Sequence, residues 1–362
     1  MTSLIDGHQY GGRHTSDNEP LLALDNVTSH FKTERGLVRA VDGVSFSLRR
    51  GESLGIVGES GSGKTVLSRT IMGLLPSSNS VTGGSIEFAG QEIRGLPAKQ
   101  MRSLWGAEMS MVFQNPLNSQ NPLMKVGKQI TESLRLHLAM DKENAKQTAI
   151  RLLRDVHIPE PERRLNQYPH ELSGGMRQRV MIAIALACGP TLLFADEPTT
   201  ALDVTVQAQI LELLQEQRRD RNMSVILVTH DLGVVAGHTD HIVVMYGGKL
   251  VERAPTRELF ANMKMPYTKS LLRSIPKLDD PSHTRLASIP GRPPDLVTPP
   301  KGCRFAPRCA YAREKCLKEE PDLVNAGVPD HEYACWYPVG AVEFEERDAE
   351  LRSTPVTLGR GS

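Results

Sequence analysis

The apolar residues of this chain fall into short segments with the spacing of strands or of helices. Between about residues 21 and 48, LLALDNVTSHF and AVDGVSFSL flank the polar turn KTERG, and their alternation of apolar and polar positions predicts strands. The compact apolar segment SLGIVG, residues 53–58, predicts a further strand, and the spacing from Thr65 to Leu75 predicts a helix after a glycine-rich loop. A strand that leads through such a loop into a helix is typical of an α/β fold.

The middle of the chain predicts helices and then more strands. Residues from about 118 to 167 are polar with a helical rhythm, as in QTAIRLLRDV, and indicate an inserted helical subdomain. TLLFADE (191–197) and SVILVTH (224–230) are continuous apolar strands, as expected in a parallel sheet covered on both faces. Six more prolines follow Pro276 by residue 300, which predicts a linker or an extended surface strap.

Charge and composition exclude some classes of protein. Lys and Arg number 43 and Asp and Glu 42, so no global basic field indicates a nucleic acid or an anionic membrane surface. The first 20 residues are polar and glycine-rich, lack the pattern of a secretion signal and are expected to form a loose tail. The longest apolar run, residues 180–188, is far shorter than the roughly 20 residues that span a bilayer. We therefore expect a cytoplasmic chain with reduced thiols.

The segment GESGSGKT, residues 58–65, has the spacing of a phosphate-binding loop. Its glycines allow backbone N–H groups to turn towards phosphates, and the following helix directs its positive end at them. The lysine adds a charge near the γ-phosphate, and the threonine hydroxyl suits Mg²⁺. The candidate nucleotide-binding residues of this loop are Gly58, Ser60, Gly61, Ser62, Gly63, Lys64 and Thr65.

Two adjacent carboxylates end the apolar strand LLFADE. Asp196 is a candidate to hold Mg²⁺ through water, and Glu197 is a candidate general base for the attacking water. Acids at a strand end are more often solvated loop residues, but these follow a phosphate loop and precede PTTALD. His230 ends the strand SVILVTH. Because this strand should neighbour the Asp196 strand, we expect His230 to lie within reach of a γ-phosphate.

The segment LSGGMRQRV, residues 172–180, offers a second helix start that suits an anion. Ser173, Gly174 and Gly175 open a helix predicted to continue through Cys188. One nucleotide cannot use both this helix start and the phosphate loop of the same chain.

These motifs, together with Gln114 in FQNP and in this order along the chain, resemble the ATP-binding subunits of ABC transporters over about residues 21–275. The resemblance implies an α/β fold, the ABC-type P-loop nucleotide-binding domain. Such a domain has a RecA-like core, an antiparallel β subdomain and an inserted helical subdomain, here at about 115–188. It also implies a head-to-tail dimer, in which each ATP lies between the phosphate loop of one subunit and the LSGG helix of its partner.

The same resemblance implies roles for single residues. The LSGG residues contact the ATP of the partner subunit, and Asp203 of TALD lines the subunit boundary. Gln114 is implied to be a hinge residue that senses Mg²⁺ and the γ-phosphate and faces the membrane subunits. Phe31 occupies the position whose ring stacks on adenine, and a core phenylalanine on a strand is the alternative. All the hydrolytic residues are present, so the chain is expected to be an ATPase that uses ATP and Mg²⁺.

Four of the five cysteines, Cys303, Cys309, Cys316 and Cys335, lie near the carboxyl end, separated by five, six and eighteen residues. Zinc ribbons and fingers usually pair cysteines about two to four residues apart. Wider spacing suits an iron–sulfur cluster, whose irons accept thiolates from a wrapped chain. The interpretations, in order, are a cluster, a zinc site and four reduced structural thiols.

The tail narrows the family. PYTKSLLRSIP, LASIPGRPP and GCRFAPRC resemble the C-terminal extension of ATPase subunits from dipeptide and oligopeptide importers. Some members with these four cysteines carry a [4Fe-4S] cluster there, and the resemblance implies one here. The predicted divisions are a flexible tail (1–20), the ABC ATPase domain (21–275), the four-cysteine extension (276–345) and a second flexible tail (346–362).

The resemblance implies a subunit at the cytoplasmic face of the cell membrane that powers uptake of di- or oligopeptides. The implied partners are a second ABC ATPase, two permease subunits and an extracytoplasmic peptide-binding protein, and a homodimer is the alternative to two different ATPases. Nickel and glutathione importers have similar ATPases, so nickel and glutathione are alternatives to peptide as the cargo. A soluble ABC-type ATPase acting on nucleic acid is a rival of another class, but the tail lacks a basic cluster, so no nucleic acid is expected.

Overall fold

The computed structural model describes residues 19–199, 203–275 and 289–353. The strands in these ranges are β1 (Leu22–Thr33), β2 (Gly36–Leu48), β3 (Ser53–Val57), β4 (Ser80–Phe88), β5 (Gln91–Glu92), β6 (Met109–Val112), β7 (Leu192–Asp196), β8 (Ser224–Thr229), β9 (His241–Tyr246), β10 (Lys249–Pro255), β11 (Val324–Asn325) and β12 (Glu332–Tyr333). The α-helices are α1 (Lys64–Ile71), α2 (Ala98–Leu104), α3 (Pro116–Ser119), α4 (Val126–His137), α5 (Lys142–Asp155), α6 (Pro161–Arg164), α7 (Gly174–Ala185), α8 (Val204–Arg221), α9 (Leu232–Ala236), α10 (Thr256–Asn262), α11 (Pro266–Arg273), α12 (Glu314–Lys318) and α13 (Val342–Ser353).

The smaller of the two sheets is antiparallel, with the strand order β2-β1-β4-β5. Alternate residues of β1, such as Leu22 and Leu24, are buried, because one face of this sheet packs on α1 and on the larger sheet. This sheet confirms the antiparallel β subdomain that the resemblance implied.

The larger sheet has the order β11-β12-β10-β9-β3-β8-β7-β6. The five strands from β9 to the edge strand β6 run parallel to one another. Every residue of β3, β6, β7 and β8 is buried, since helices and the smaller sheet cover the two faces. The continuous apolar runs in the sequence therefore correspond to a parallel sheet, as expected.

The segment between β6 and β7 is helical and contains α3 to α7. Ile130 and Leu134 of α4 and Ala149 and Leu153 of α5 are fully buried, so an apolar stripe on each helix builds the interior of this subdomain. Helix α7 ends at Ala185, before the residue expected from the sequence. Within the described ranges, no helix is long and apolar enough to cross a membrane.

The carboxyl-terminal extension shares both the main sheet and its core. Strand β12 pairs antiparallel with β10, and β11 pairs with β12. The ring of Phe305, 2% exposed, has its centroid 5.2 Å from those of Tyr246 and Tyr267. The extension is thus part of one packed body with the strands that carry the ATPase motifs.

Residues 276–288 of the proline-rich segment lie outside the described part of the chain. The rest of the segment runs along the β1–β2 hairpin. The backbone N–H of Arg39 donates to the carbonyl of Leu296 at 3.0 Å, and Arg35 forms an ion pair with Asp295 at 2.6 Å. For residues 289–300 the structure therefore shows a surface strap.

Residues 346–353, predicted as part of a flexible tail, are instead the last eight residues of α13. Phe344 is fully buried and stacks on Tyr311, with the centroids 4.0 Å apart, and the Tyr311 hydroxyl donates to Asp348 at 2.5 Å. Phe344 and Asp348 are four residues apart and share a helical face, so the acidic composition of this segment concealed a packing face. Residues 354–362 and 1–18 lie outside the described part of the chain.

Candidate active site

Four adjacent parallel strands bring the predicted motifs to one edge of the larger sheet. β3 leads into the phosphate loop, β8 into His230, β7 ends at Asp196 and Glu197, and β6 leads towards Gln114. Because the carboxyl ends of parallel strands meet at one edge, residues far apart in sequence become neighbours there.

The phosphate loop is pressed against backbone on both sides, which requires glycine at two positions. Gly58 has φ +154°, and a Cβ added there would lie 2.2 Å from the carbonyl oxygen of Met245. Gly63 has φ +103°, and its Cβ would lie 2.2 Å from the carbonyl oxygen of Ala40. Ser60 and Gly61 are exposed, whereas the Ser62 hydroxyl is buried and finds no hydrogen-bond partner among the described residues. The loop therefore keeps an open turn with backbone N–H groups and a hydroxyl ready for a ligand.

Lys64 opens α1 with its side chain buried, at 5% exposure. Its ammonium donates to the carbonyl oxygens of Gly58, at 2.7 Å, and Glu59, at 3.0 Å. Burial lowers the pKa of Lys64, while the nearby carboxylates of Glu197 and Asp196 act in the opposite direction. Since the two carbonyls do not neutralise the ammonium, the loop holds a positive charge suited to an anionic ligand.

The hydroxyl of Thr65 donates to the carboxylate of Asp196 at 3.0 Å and so joins α1 to the end of β7. Asp196 is only 3% exposed, and burial raises its pKa, with the adjacent Glu197 adding to the shift. A bound cation would relieve this unfavourable buried charge. A hydroxyl beside a carboxylate is a donor set that suits Mg²⁺, so these residues fit the predicted metal.

The three predicted catalytic side chains form one hydrogen-bonded group. The amide of Gln114 donates to Glu197 Oε2 at 2.8 Å, and His230 Nδ1 lies 3.2 Å from Glu197 Oε1. The backbone of Glu197 has φ +45°, a left-handed conformation that is unfavourable for glutamate and is held by its N–H bond to the carbonyl of Val228. Such strain is common at functional sites, and here it directs the carboxylate between the ends of β6 and β8.

The LSGG motif begins α7 at an exposed surface. Ser173 is the N-cap, and its hydroxyl accepts from the N–H of Met176 at 3.3 Å. A Cβ added at Gly174 would meet nothing within 4 Å, whereas one at Gly175 would lie 3.3 Å from Val206 of α8. Asp203 is the N-cap of α8, and its carboxylate accepts from the N–H of Val206 at 2.9 Å. These contacts of Ser173 and Gly175 are not with the phosphate loop.

Phe31 is half-buried on β1, in register with Val38 of β2 and Ser80 of β4. Its neighbour His30 is bound to Asp42 at 3.0 Å. The residues flanking Phe31 are thus held in the smaller sheet, and its ring is partly accessible.

The four clustered cysteines line one cavity of the extension: Cys303, Cys309, Cys316 and Cys335. Burial raises the pKa of the Cys303 and Cys335 thiols, and it raises the pKa of Cys309 to about 12. Charge on one thiol opposes ionisation of the others, so four thiolates would need a cationic centre between them. In the described part of the chain, however, no group of three or more His, Cys, Asp or Glu side chains is arranged to hold a metal ion.

Sequence analysis missed a set of residues that contact the phosphate loop from outside. Arg308 of the cysteine-rich turn forms an ion pair with Glu59, and the Tyr267 hydroxyl accepts from the Glu59 N–H at 2.8 Å. The Glu59 carboxylate raises the pKa of Arg308. The spacing of the segment CRFAPRC contains no signal that its arginines are buried against the ATPase core.

Two families match different parts of the chain. Residues 41–200 match the family described as ABC transporter, and residues 251–316 match the family described as oligopeptide/dipeptide transporter, C-terminal region. The second match contains three of the four clustered cysteines.

Individual proteins resemble the chain over most of its length. The oligopeptide transport ATP-binding protein OppD of Salmonella typhimurium is 49% identical over 88% of this chain and 94% of the relative. OppD of Bacillus subtilis is 51% identical over 84% of this chain and 85% of the relative. A solved structure shows the ATP-binding cassette MJ0796 as a dimer in a post-hydrolysis state, bound to ADP and Pi. Its sequence is 28% identical to this chain, and it superposes with a TM-score of 0.59 over 65% of this chain and 99% of that chain.

These similarities confirm the fold and the resemblance drawn from the motifs. The chain therefore belongs to the ABC transporter family and is one of its ATPases, and it carries the C-terminal region of oligopeptide and dipeptide transporters.

Proposed function

We propose that this chain is the ATP-hydrolysing subunit of an ABC importer that takes up dipeptides or oligopeptides. The observation that carries the proposal is the combination, in one chain, of a match to the ABC transporter family over residues 41–200 and a match to the oligopeptide/dipeptide transporter C-terminal region over residues 251–316. The names of the relatives, which are oligopeptide and dipeptide transport ATP-binding proteins, support peptide as the cargo.

The geometry supports a role for each residue in hydrolysis. The loop of residues 58–65 would receive the phosphates of ATP, and the Lys64 ammonium would supply positive charge to them. Thr65 and Asp196 would hold Mg²⁺, which would supply positive charge to offset the phosphates. A water oxygen attacks the γ-phosphorus while Glu197 accepts a proton from that water. The bond between the γ-phosphorus and the oxygen that leaves with ADP breaks. Gln114 and His230 hold the carboxylate of Glu197 in place for this step.

The second helix start supports a head-to-tail dimer. Ser173 and Gly174 are exposed at the start of α7, and Val204, which follows Asp203, is 83% exposed. An open, polar helix start and a separate exposed apolar residue both suit contact with a partner subunit and its ATP. The related cassette MJ0796 is dimeric in its solved structure. We propose that the partner here is a second, different ABC ATPase.

Sedimentation of the Glu197→Gln chain with ATP tests this pairing. A dimer that forms only after a companion ATPase is added supports two different chains, whereas a dimer of this chain alone supports the homodimer. A chain that stays monomeric under both conditions would contradict the head-to-tail arrangement.

The helical subdomain is the proposed contact with two permease subunits at the cytoplasmic face of the membrane. Leu123 and Leu136 are 85% and 74% exposed there, and Phe113 beside Gln114 is 37% exposed. Exposed apolar residues on this subdomain, together with Phe113 next to the catalytic Gln114, suit a contact that transmits movement. Leu123→Asp should reduce co-purification with the permeases while ATP affinity is kept. Leu317→Asp, at an exposed leucine of the extension, is the matched control.

The cargo is tested by uptake of labelled peptide into cells that carry the complete transporter with its extracytoplasmic binding protein. Inactivation by Lys64→Ala should abolish uptake of a labelled dipeptide. Loss of nickel or glutathione uptake with peptide uptake intact would replace the peptide assignment by one of the alternative cargoes.

We further propose that the four cysteines hold a [4Fe-4S] cluster, with zinc as the second choice. The four thiols line one cavity, and their wide separation in the sequence suits a larger object than a single ion. Protein purified without oxygen should contain about four irons per chain. Cys309→Ser should lose them, and Cys188→Ser, outside the four, should not. Stoichiometric zinc without iron would decide for the second choice.

A further inference from the structure

The cysteine-rich turn reaches the phosphate loop through one side chain. Arg308 lies between Cys303 and Cys309, and its side chain is 4% exposed. Its Nη1 donates to Glu59 Oε2 at 2.6 Å, and its Nη2 donates to Glu59 Oε1 at 3.0 Å. Glu59 directly follows Gly58, the first residue of the phosphate loop. This two-pronged pair is the strongest geometry available between an arginine and a carboxylate.

Three hydrogen bonds other than those to Glu59 hold the Arg308 guanidinium in place. Its Nε donates to the carbonyl of Pro290 at 2.9 Å, and Nη2 also donates to the carbonyl of Ile289 at 3.1 Å. Nη1 donates to the hydroxyl of Tyr246 at 3.2 Å. All three nitrogens of the Arg308 guanidinium therefore donate hydrogen bonds to these groups. Because the guanidinium is already fixed, binding the Glu59 carboxylate costs it little conformational freedom.

Glu59 is in turn connected to the ATP-binding lysine. Its carbonyl oxygen accepts from Lys64 Nζ at 3.0 Å, and its N–H donates to the Tyr267 hydroxyl at 2.8 Å. A displacement of Glu59 would change the hydrogen bonds of Lys64. Arg308 is therefore linked to the lysine through Glu59, one of the two carbonyl partners of its ammonium.

The charge of Glu59 gives the contact a second effect. A carboxylate within a loop that receives the phosphates of ATP would repel them if it were not neutralised. Because Glu59 is partly buried, with 26% of its side chain exposed, water screens this repulsion incompletely. Arg308 supplies the opposite charge at hydrogen-bond distance.

We propose that Arg308 is a positioning residue of the ATP site: it holds and neutralises Glu59 and so keeps the phosphate loop receptive to ATP. The affinity for ATP then depends on docking of the four-cysteine extension. Any change that moves the turn between Cys303 and Cys309 is transmitted to the loop through this ion pair.

The experiment uses the full chain and measures the dissociation constant of ATP together with KM and kcat of hydrolysis. Arg308→Gln, which keeps hydrogen-bonding groups but not the charge, should raise Kd and KM about tenfold while kcat changes less than about twofold. The double variant Arg308→Gln with Glu59→Gln removes the repulsive carboxylate as well. It should recover Kd to within about threefold of the original chain. Arg313→Gln, at another arginine of the extension, is the control and should leave Kd unchanged.

Two results would overturn the proposal. One is an unchanged Kd for Arg308→Gln, which would show that the ion pair does not serve ATP binding. The other is a double variant that binds as weakly as the single one, which would mean that Arg308 acts only through the folding of the extension. If Arg308→Gln does not fold, Arg308→Lys replaces it in the experiment. An unchanged Kd of ATP for Arg308→Lys would contradict the proposal that the two-pronged contact with Glu59 positions the loop. A Kd raised severalfold, reduced again by Glu59→Gln, supports it.

Discussion

The substitution Glu197→Gln tests the proposed chemistry with little change of shape. Glutamine keeps the size of the side chain and an oxygen that can accept the 2.8 Å bond from Gln114, but it loses the negative charge and the capacity to take a proton. The surrounding contacts with the ends of β6 and β8 therefore stay, and the general base is removed alone.

The expected effect on rate follows from the loss of that base. General base catalysis contributes about 10²- to 10⁴-fold, so kcat should fall by this factor, which corresponds to roughly 3–5 kcal/mol in activation free energy. ATP affinity should stay equal or increase. Glu197 is a negative charge close to Lys64, and its removal does not touch the phosphate loop. Phosphate release at saturating ATP and Mg²⁺ measures the first effect, and binding of a fluorescent ATP analogue measures the second.

Glu87→Gln, at an exposed glutamate of the smaller sheet, is the matched control and should hydrolyse ATP at the normal rate. A Glu197→Gln chain that keeps more than about a tenth of its steady-state rate would contradict the role of this carboxylate as base. A large loss of ATP affinity would show instead that Glu197 supports the phosphate loop.

Three further substitutions test other parts of the site. Lys64→Ala should raise the dissociation constant of ATP about tenfold or more by titration, because the buried ammonium is lost, and unchanged affinity would contradict the phosphate cradle. Burial raises the pKa of Asp196 in the folded state, so the charged carboxylate destabilises the fold above that pKa. This destabilisation vanishes below the pKa of the unfolded state, about 4. Asp196→Asn should therefore raise the melting temperature of the nucleotide-free protein at pH 7 and raise it less in acid. Phe305→Ala should cost about 3–5 kcal/mol of unfolding free energy in denaturant titrations, since the ring is buried against Tyr246 and Tyr267, and a loss below about 1 kcal/mol would contradict a shared core.

Local features of this protein could be predicted from the sequence because each depends on consecutive residues. The glycines of residues 58–63 indicate a tight turn, and the structure shows that backbone atoms of Met245 and Ala40 leave no room for a Cβ at two of them. Ser173 has the chemistry of a helix cap, and it caps α7. The continuous apolar runs around residues 191–197 and 224–230 became adjacent parallel strands.

The tertiary structure decided which distant groups meet. The amide of Gln114 reaches a carboxylate 83 residues away, and Arg308 reaches a carboxylate 249 residues away. The order of strands in the larger sheet brings the first pair together, and docking of the extension brings the second. A sequence shows the charge of an arginine but not its burial, because burial depends on which surfaces pack against it. For the same reason, the acidic segment at the end of the chain was expected to be a tail until the contacts of Phe344 and Asp348 showed a packed helix.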